Sequence, residues 1–248
     1  MPRTMLTDQH WSKLETIFRN FRIYLKQNLR NFIEAILYRI RTGCPWRDLP
    51  PAFGKPNSIF KKFSRWSKDN KLLKIFKLIS SDADLEWVFI DGSHVRAHQH
   101  ATGIKDQAIS KSIGGNSSKI HLAVDSHGNP VQFLIEDGTT HDVKLAPKLV
   151  DSLDLKETEI LCADKGYDSE SLREQIEKTG TQANIPKKSN TLSNNDHMDW
   201  YLYKIRHLVE NAFARLKHFR GIATRYDKLK QSYENSIALA CIFIWLSL

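Results

Sequence analysis

The apolar residues of this chain change their spacing near residue 87, and that change restricts the fold more than any other feature. Upstream they recur at helical intervals. Thr7 is placed to cap a helix whose first turn holds Asp8, and Trp11, Leu14, Ile17, Phe18 and Phe21 follow at helical spacing. A second helix after Asn28 carries Phe32, Ile33, Ile36, Leu37 and Ile40, and Gly43 ends it. Cys44 to Pro51 reads as a rigid, proline-bounded turn. A third helix over 57–67 puts Ile59, Phe63 and Trp66 on one stripe and Lys61, Lys62, Arg65 and Lys68 over the rest. A fourth covers 72–79. Short helices with a basic third member are compatible with a helix-turn-helix fold, whose last helix enters the DNA major groove. A helical bundle with a solvated basic face is the alternative.

Downstream the text reads as strands. Trp87-Val88-Phe89-Ile90 is a continuous apolar run, as in a strand buried on both faces, and it runs into Asp91-Gly92-Ser93. After a Gly/Ser/Lys-rich loop over 102–118, Ile120, Leu122 and Val124 alternate with His121 and Ala123. A turn over 125–130 and a strand over 131–135 complete a hairpin. A helix over 143–152 follows, then a buried strand, Ile160 to Ala163, again ending in a carboxylate, Asp164. Asp168 or Ser169 caps a helix reaching 179, and 182–185 is a fifth strand. Residues 186–199 have the composition of an exposed loop, and one long helix covers 200–219. Strands and helices in this order predict a mixed five-stranded sheet with helices on its faces. The division expected is a basic helical domain over 1–80 and an α/β domain over 81–248.

Charge points to a partner. Residues 1–80 hold 17 basic and 5 acidic residues, a net of +12. The middle, 81–202, is acidic (12 against 20), and 203–248 is basic again (8 against 3). Such a distribution suggests a polyanion gripped from two sides. The longest apolar run, Ile237 to Leu246, is ten residues, short of the ~18 that span a bilayer. The first residues lack the apolar core of a signal peptide, and Cys44, Cys162 and Cys241 are scattered. The expectation is a cytoplasmic chain without disulfides.

Two buried strands ending in aspartate need a reason. A carboxylate there is costly unless it is paired, binds metal or caps the next turn. On a wheel of about 100° per residue, Tyr203, Arg206, Glu210 and Lys217 lie within about 60° of one another. Ile205, Leu208, Val209, Ala212, Leu216 and Phe219 lie on the other side. One face packs, and the other offers one acid flanked by bases.

Tyr203-x2-Arg206-x3-Glu210-x6-Lys217 resembles the signature of bacterial insertion-sequence transposases of the DDE type. Further motifs look like the insertion-sequence-five family: Cys44 to Pro50, Ile90 to Ser93, His98-x-His100, Gly114-Gly115, Ala163 to Asp168 and Arg225 to Lys228. Pro56-Asn57 departs from it, since an aromatic is usual there. The resemblance covers nearly the whole chain. It implies an RNase H-like catalytic domain with Asp91, Asp164 and Glu210 as catalytic and metal-ligating acids. It implies two Mg²⁺ ions, with Mn²⁺ able to substitute, for phosphodiester cleavage and strand transfer. Asp91 would bridge both ions, and Asp164 and Glu210 would each complete one. Tyr203, Arg206 and Lys217 would lie along the DNA near the scissile phosphate. Lys61, Lys62 and Arg65 are read as contacts to the element's ends. The implied partners are double-stranded DNA, as terminal inverted repeats and target, and a second copy of the chain. The place of action would be the cytoplasm, at the nucleoid. An RNase H-like nuclease without strand transfer and a retired, DNA-binding repressor remain alternatives. Arg225, Lys228 and Lys230 read as DNA contacts or as a solvated basic tail, Asp137, His141 and Asp142 as turn residues. His94, His98, His100, His121 and His141 lack the ligand spacing of a zinc site.

Overall fold

A computed structural model describes residues 2–188 and 194–248. Part of the predicted 186–199 loop lies outside the described residues. The chain forms two compact units. One consists of Met1–Ile79, Arg96–Gln107 and Arg215–Leu248, the other of Ser80–Val95 and Ala108–Ala214. The spatial grouping therefore differs from a division at residue 80, because the C-terminal segment joins the N-terminal helices.

In the first unit, α1 (Asp8–Asn20) starts at Thr7, whose hydroxyl accepts from His10 N at 3.1 Å. Glu34 on α2 (Leu29–Thr42) is buried, and its carboxylate takes the amides of Met5 and Leu6 at 2.8 Å each. Gly43, at φ +72°, closes α2 in the left-handed conformation that glycine tolerates. Residues 43–55 contain two 3₁₀ turns and lead to α3 (Pro56–Lys68). That connection is longer than the three or four residues of a helix-turn-helix. Pro56 occupies the first turn of α3, where its missing amide costs nothing, so the departure from the family pattern starts the helix cleanly. A short turn leads to α4 (Lys71–Ile79). Trp66 meets Phe18 and Phe32 edge-on at 6.2 and 5.1 Å.

The second unit holds most of a mixed sheet with seven strands among the described residues, two more than expected. They are β1 (Trp87–Ala97), β2 (Ser110–Ser112), β3 (Gly115–Val124), β4 (Pro130–Asp137), β5 (Ile160–Cys162), β6 (Gln182–Asn184) and β7 (Thr224–Arg225). The additions, β2 and β7, are too short for alternation to reveal them. The main order is β4-β3-β1-β5-β6: β3 and β4 are antiparallel, and β1, β5 and β6 run parallel. With α5 (Asp142–Asp151) and α6 (Glu170–Glu177), this is an RNase H-like arrangement. Its core packs Val88, Ile90, Ala146, Leu149, Leu161 and Ile176. β1 does not stop at Asp91, as expected; it continues through Gly92 to Ala97, in the first unit, where its last residues pair with β7.

The single helix expected over 200–219 is α7 (Trp200–Ile205) and α8 (His207–Lys217), followed by α9 (Arg220–Ala223). Arg206 N bonds to Tyr203 O at 3.2 Å and Val209 N to Arg206 O at 3.1 Å. Both are i→i−3 bonds, so the helix tightens to 3₁₀ geometry around Arg206. The last helix, α10 (Lys230–Leu246), is buried along most of its length and packs against α2, α3 and α4. Arg39 on α2 forms a buried ion pair with Asp227 at 2.9 Å. Gly221 lies so close to α2 that a Cβ there would come within 3.1 Å of the Ile40 backbone.

Candidate active site

Asp91 and Asp164 come together through strand register. Phe89 pairs with Cys162, so the residues two further along the parallel strands are Asp91 and Asp164. Each is steadied by a glycine amide: Gly92 N donates to Asp91 Oδ1 and Gly166 N to Asp164 Oδ1, both at 2.8 Å. Burial pushes the Asp91 carboxyl above its usual range, and the negative charge of Asp164 adds to the push. The Gly92 amide and the Arg206 guanidinium oppose it.

Arg206 ties Asp91 to the third acid. Its Nη1 donates to Asp91 Oδ2 at 3.1 Å and its Nη2 to Glu210 Oε1 at 2.7 Å. Burial works against the guanidinium charge, but Asp91 and Glu210 outweigh it and hold the group more firmly protonated than usual. Glu210 is the outer member, its side chain 54% exposed against 21% for Asp91 and 17% for Arg206. Tyr203 is half-buried, its ring 5.8 Å from the Arg206 guanidinium carbon. Lys217 ends α8, seven residues after Glu210, and belongs to the other compact unit.

A fourth carboxylate sits in the same place. Asp142, expected to be a turn residue, is the first residue of α5. It forms an ion pair with Lys119, and its Oδ1 is 3.6 Å from His121 Nε2. A Cβ on Gly92 would lie 2.8 Å from both Asp142 Oδ1 and Lys119 Cε. A Cβ on Gly166 would lie 2.9 Å from Asp164 Oδ1 and 3.4 Å from Asp142 Oδ2. The glycines that follow the two strand aspartates therefore leave the room that Asp142 fills. Behind it, His121 Nδ1 is 3.0 Å from the hydroxyl of the fully buried Tyr167. Burial lowers the His121 pKa to about 4 despite the pull of Asp142, so the ring is neutral at pH 7. Burial also raises the Tyr167 pKa, with Asp142, Asp91 and Asp164 adding to it. The signal for this group lay in β3, where Lys119 and His121 are polar residues in a strand buried on both faces.

The acids do not form one ligand cluster: among the described residues, no three His, Cys, Asp or Glu side chains are grouped to hold an ion. A guanidinium spans Asp91 and Glu210 instead. The donor chemistry nevertheless fits a hard divalent cation, since carboxylate oxygens are what Mg²⁺ and Mn²⁺ prefer. The Arg206 guanidinium lies between Asp91 and Glu210 and offsets part of their charge.

Of the other expected residues, Lys61 and Arg65 are exposed on α3. Lys62 is half-buried, its ammonium 4.1 Å from the Phe32 ring centroid and 5.6 Å from that of Trp66. Arg225 is not a DNA contact: it is fully buried, donates from Nε to the Asp227 carbonyl at 3.0 Å and lies over the Tyr233 ring at 5.0 Å. His98 stacks with His100 at 4.8 Å and with Tyr226 at 5.1 Å.

An RNase H-like sheet with one acid on a central strand, a second just past the end of the neighbouring parallel strand and a third on a later helix defines a class of phosphodiester-processing domains. The chain belongs to the family described as "Transposase DDE domain", whose model matches residues 83–245; residues 6–76 match "Putative transposase of IS4/5 family". It is 34% identical over 130 residues to a "Putative transposase for insertion sequence element IS6501" from Brucella ovis, covering 52% of this chain and 98% of that one. It is 39% identical over 80 residues to an uncharacterized protein of Sinorhizobium fredii, covering 32% of this chain and 64% of the other. A "Putative transposase for insertion sequence element IS402" from Burkholderia cepacia is 27% identical over 136 residues, covering 51% of this chain and 62% of that one. The chain thus spans a little under two thirds of two of these relatives. Membership of the family implies use of a divalent metal ion. Among the described residues, no helix is long and apolar enough to cross a membrane.

Proposed function

We propose that this chain is a DNA transposase that binds the ends of an insertion sequence, cuts them and joins them to target DNA. The observation that carries the reading is the placement of Asp91, on β1, beside Asp164, just past the end of the parallel strand β5, with Arg206 linking Asp91 to Glu210. Asp91, Asp164 and Glu210 would hold two Mg²⁺ ions, or Mn²⁺ in their place. Such ions lower the pKa of an attacking water or 3′-hydroxyl and relieve charge on the leaving oxygen. The rest of the work falls to the chain itself. The Gly92 and Gly166 amides orient the two inner carboxylates. Arg206 holds Asp91 and Glu210 in register and presents a cation to the phosphate backbone. Tyr203, beside Arg206, would contact the terminal nucleotides, and Lys217 would contact the DNA backbone. Lys61, Lys62 and Arg65 serve the element's ends. Each chain acts as half of a homodimer on DNA, in the cytoplasm at the nucleoid.

The test uses the full chain, a duplex carrying the element's inverted repeat, and a supercoiled target. With Mg²⁺, cut ends and joined products are expected, and a chelator abolishes both. Cutting without joining on a pre-cleaved end identifies a nuclease. Binding without metal-dependent cutting identifies a repressor. Either result removes the transposase reading.

A further inference from the structure

The first unit contains a groove of about 720 Å³ between the Phe21–Asn28 segment and α3–α4. Six cations line it: Arg22, Lys26, Lys62, Arg65, Lys71 and Lys74. One acid, Asp69, shares the lining and lies 3.7 Å from Lys71. From this groove we infer a docking site for the sugar–phosphate backbone of duplex DNA. The inference rests on the transposase reading and deepens it by assigning where backbone contact is made.

Three features argue that the groove is built for an anion. The cations come from three separate stretches of chain, the turn after α1, α3 and the start of α4, so the fold gathers them rather than one helix happening to be basic. Their gathering has a cost. Burial and then the repulsion of Arg65, Lys26 and Lys71 make the Lys62 ammonium easier to deprotonate than usual. A row of phosphates relieves that repulsion, whereas water only screens it. Second, the side of the groove is aromatic. Lys62 is held over Phe32 and Trp66, and Lys71 over Trp66 at 5.7 Å, so the ammoniums are fixed at the rim by the rings. Tyr24, 79% exposed, stands at the edge. Third, the chain leaves α1 through Arg22 at φ +52°. That left-handed conformation costs a non-glycine residue about 1 kcal/mol or more. It turns the chain so that Arg22 and Lys26 line the groove with α3 and α4.

The geometry assigns α3 a different task from the one its sequence suggests. Arg65 and Lys62 line the groove and Lys61 does not. Phosphate contacts of this kind fix position on the duplex without reading sequence. The cations contributed by Arg22, Lys26, Lys71 and Lys74 then matter as much as those of α3.

The test is the salt dependence of duplex binding by the full chain, read by fluorescence anisotropy. The variant is the triple change Lys26→Gln, Lys71→Gln and Lys74→Gln. Lys62 is left in place because it packs on the rings. A control triple, Lys144→Gln, Lys148→Gln and Lys178→Gln, removes the same charge from exposed positions of the second unit. The groove triple should flatten the slope of log K against log salt by about 2.7, at about 0.9 per phosphate contact. The control should leave it unchanged. Lys26→Glu alone, at an exposed position, should flatten the slope as well and keeps the test decisive if the triple melts early. If the groove triple and the control give the same slope while cutting and joining persist, the groove is not a docking site and the transposase reading stands. A parent chain that fails to bind duplex DNA overturns both.

Discussion

Removing the Arg206 guanidinium should tighten divalent-ion binding while slowing cleavage. The substitution is Arg206→Gln, which keeps a polar side chain but shortens it and removes the charge. In the structure Arg206 Nη1 holds Asp91 Oδ2 at 3.1 Å, with both side chains largely buried at 17% and 21% exposure. An ion that takes Asp91 Oδ2 as a ligand must displace that bond. A hydrogen bond to a charged group contributes about 1.5–3 kcal/mol. The Glu210 leg adds little, because a carboxylate 54% exposed is well screened. The Asp91 leg alone predicts Mn²⁺ binding about 10- to 100-fold tighter in the variant, at ~1.4 kcal/mol per tenfold. Cleavage moves the other way. Without the cation, Asp91 and Glu210 lose their shared anchor, and the backbone phosphate loses a contact, so the rate should fall by a similar factor. Electron paramagnetic resonance of Mn²⁺ titrated into the DNA-free chain reads the first effect. Single-turnover cleavage at saturating Mn²⁺ reads the second. Weaker Mn²⁺ binding in Arg206→Gln would refute the competition, because it would make Arg206 a support for the ion site rather than its rival.

Further expectations concern the acids, the glycines and the buried ion pair. Asp91→Ala, Asp164→Ala and Glu210→Ala should each abolish cleavage while melting and duplex binding stay near the parent; a variant that cuts normally removes its residue from the site. Gly92→Ala should cost about 1–3 kcal/mol through overpacking against Asp142 and Lys119 and should suppress cleavage. Gly114→Ala, where the nearest atom is Ser112 Oγ at 3.7 Å, should change neither. Asp227→Asn should destabilise by about 3–5 kcal/mol because it leaves Arg39 buried without its partner. The double change Arg39→Met with Asp227→Leu should recover most of that loss in a urea titration, and a double variant as unstable as the single one would contradict this account of the pair.

Much of the candidate site's geometry was readable along the chain because strand periodicity is local. A run such as Trp87 to Ile90 needs burial on both faces, and the acid that follows it, still within β1, needs a charged or hydrogen-bonding partner. The same logic placed Asp164. Helical spacing placed Arg206 and Glu210 on one face, although the 3₁₀ tightening at Arg206 was not visible, since no proline or glycine interrupts 200–217. Burial of Arg225 was equally hidden. In a basic tail an arginine reads as solvated, and only the approach of Tyr233 and the Asp227 carbonyl shows otherwise. The placement of α10 had a clue that a two-part division passed over. A helix apolar on most sides needs cover on more than one side. The N-terminal helices α2, α3 and α4 provide it.

Asp142 marks where one-dimensional reading stops. In sequence it follows Thr140-His141 and reads as a turn residue, whereas the structure makes it the first residue of α5, where an acid suits the helix dipole. Its second property depends on Gly92 and Gly166, which are distant along the chain and whose missing side chains let it approach. Those glycines read as turn formers beside each aspartate. Neither has a positive φ, so backbone freedom does not explain them; the space they leave does. An acid so placed is balanced by Lys119 rather than by solvent. The inner part of the site is therefore three carboxylates and one buried lysine, with Arg206 joining them from the helix side. Lys119 offsets the charge of Asp142, and Arg206 offsets that of Asp91.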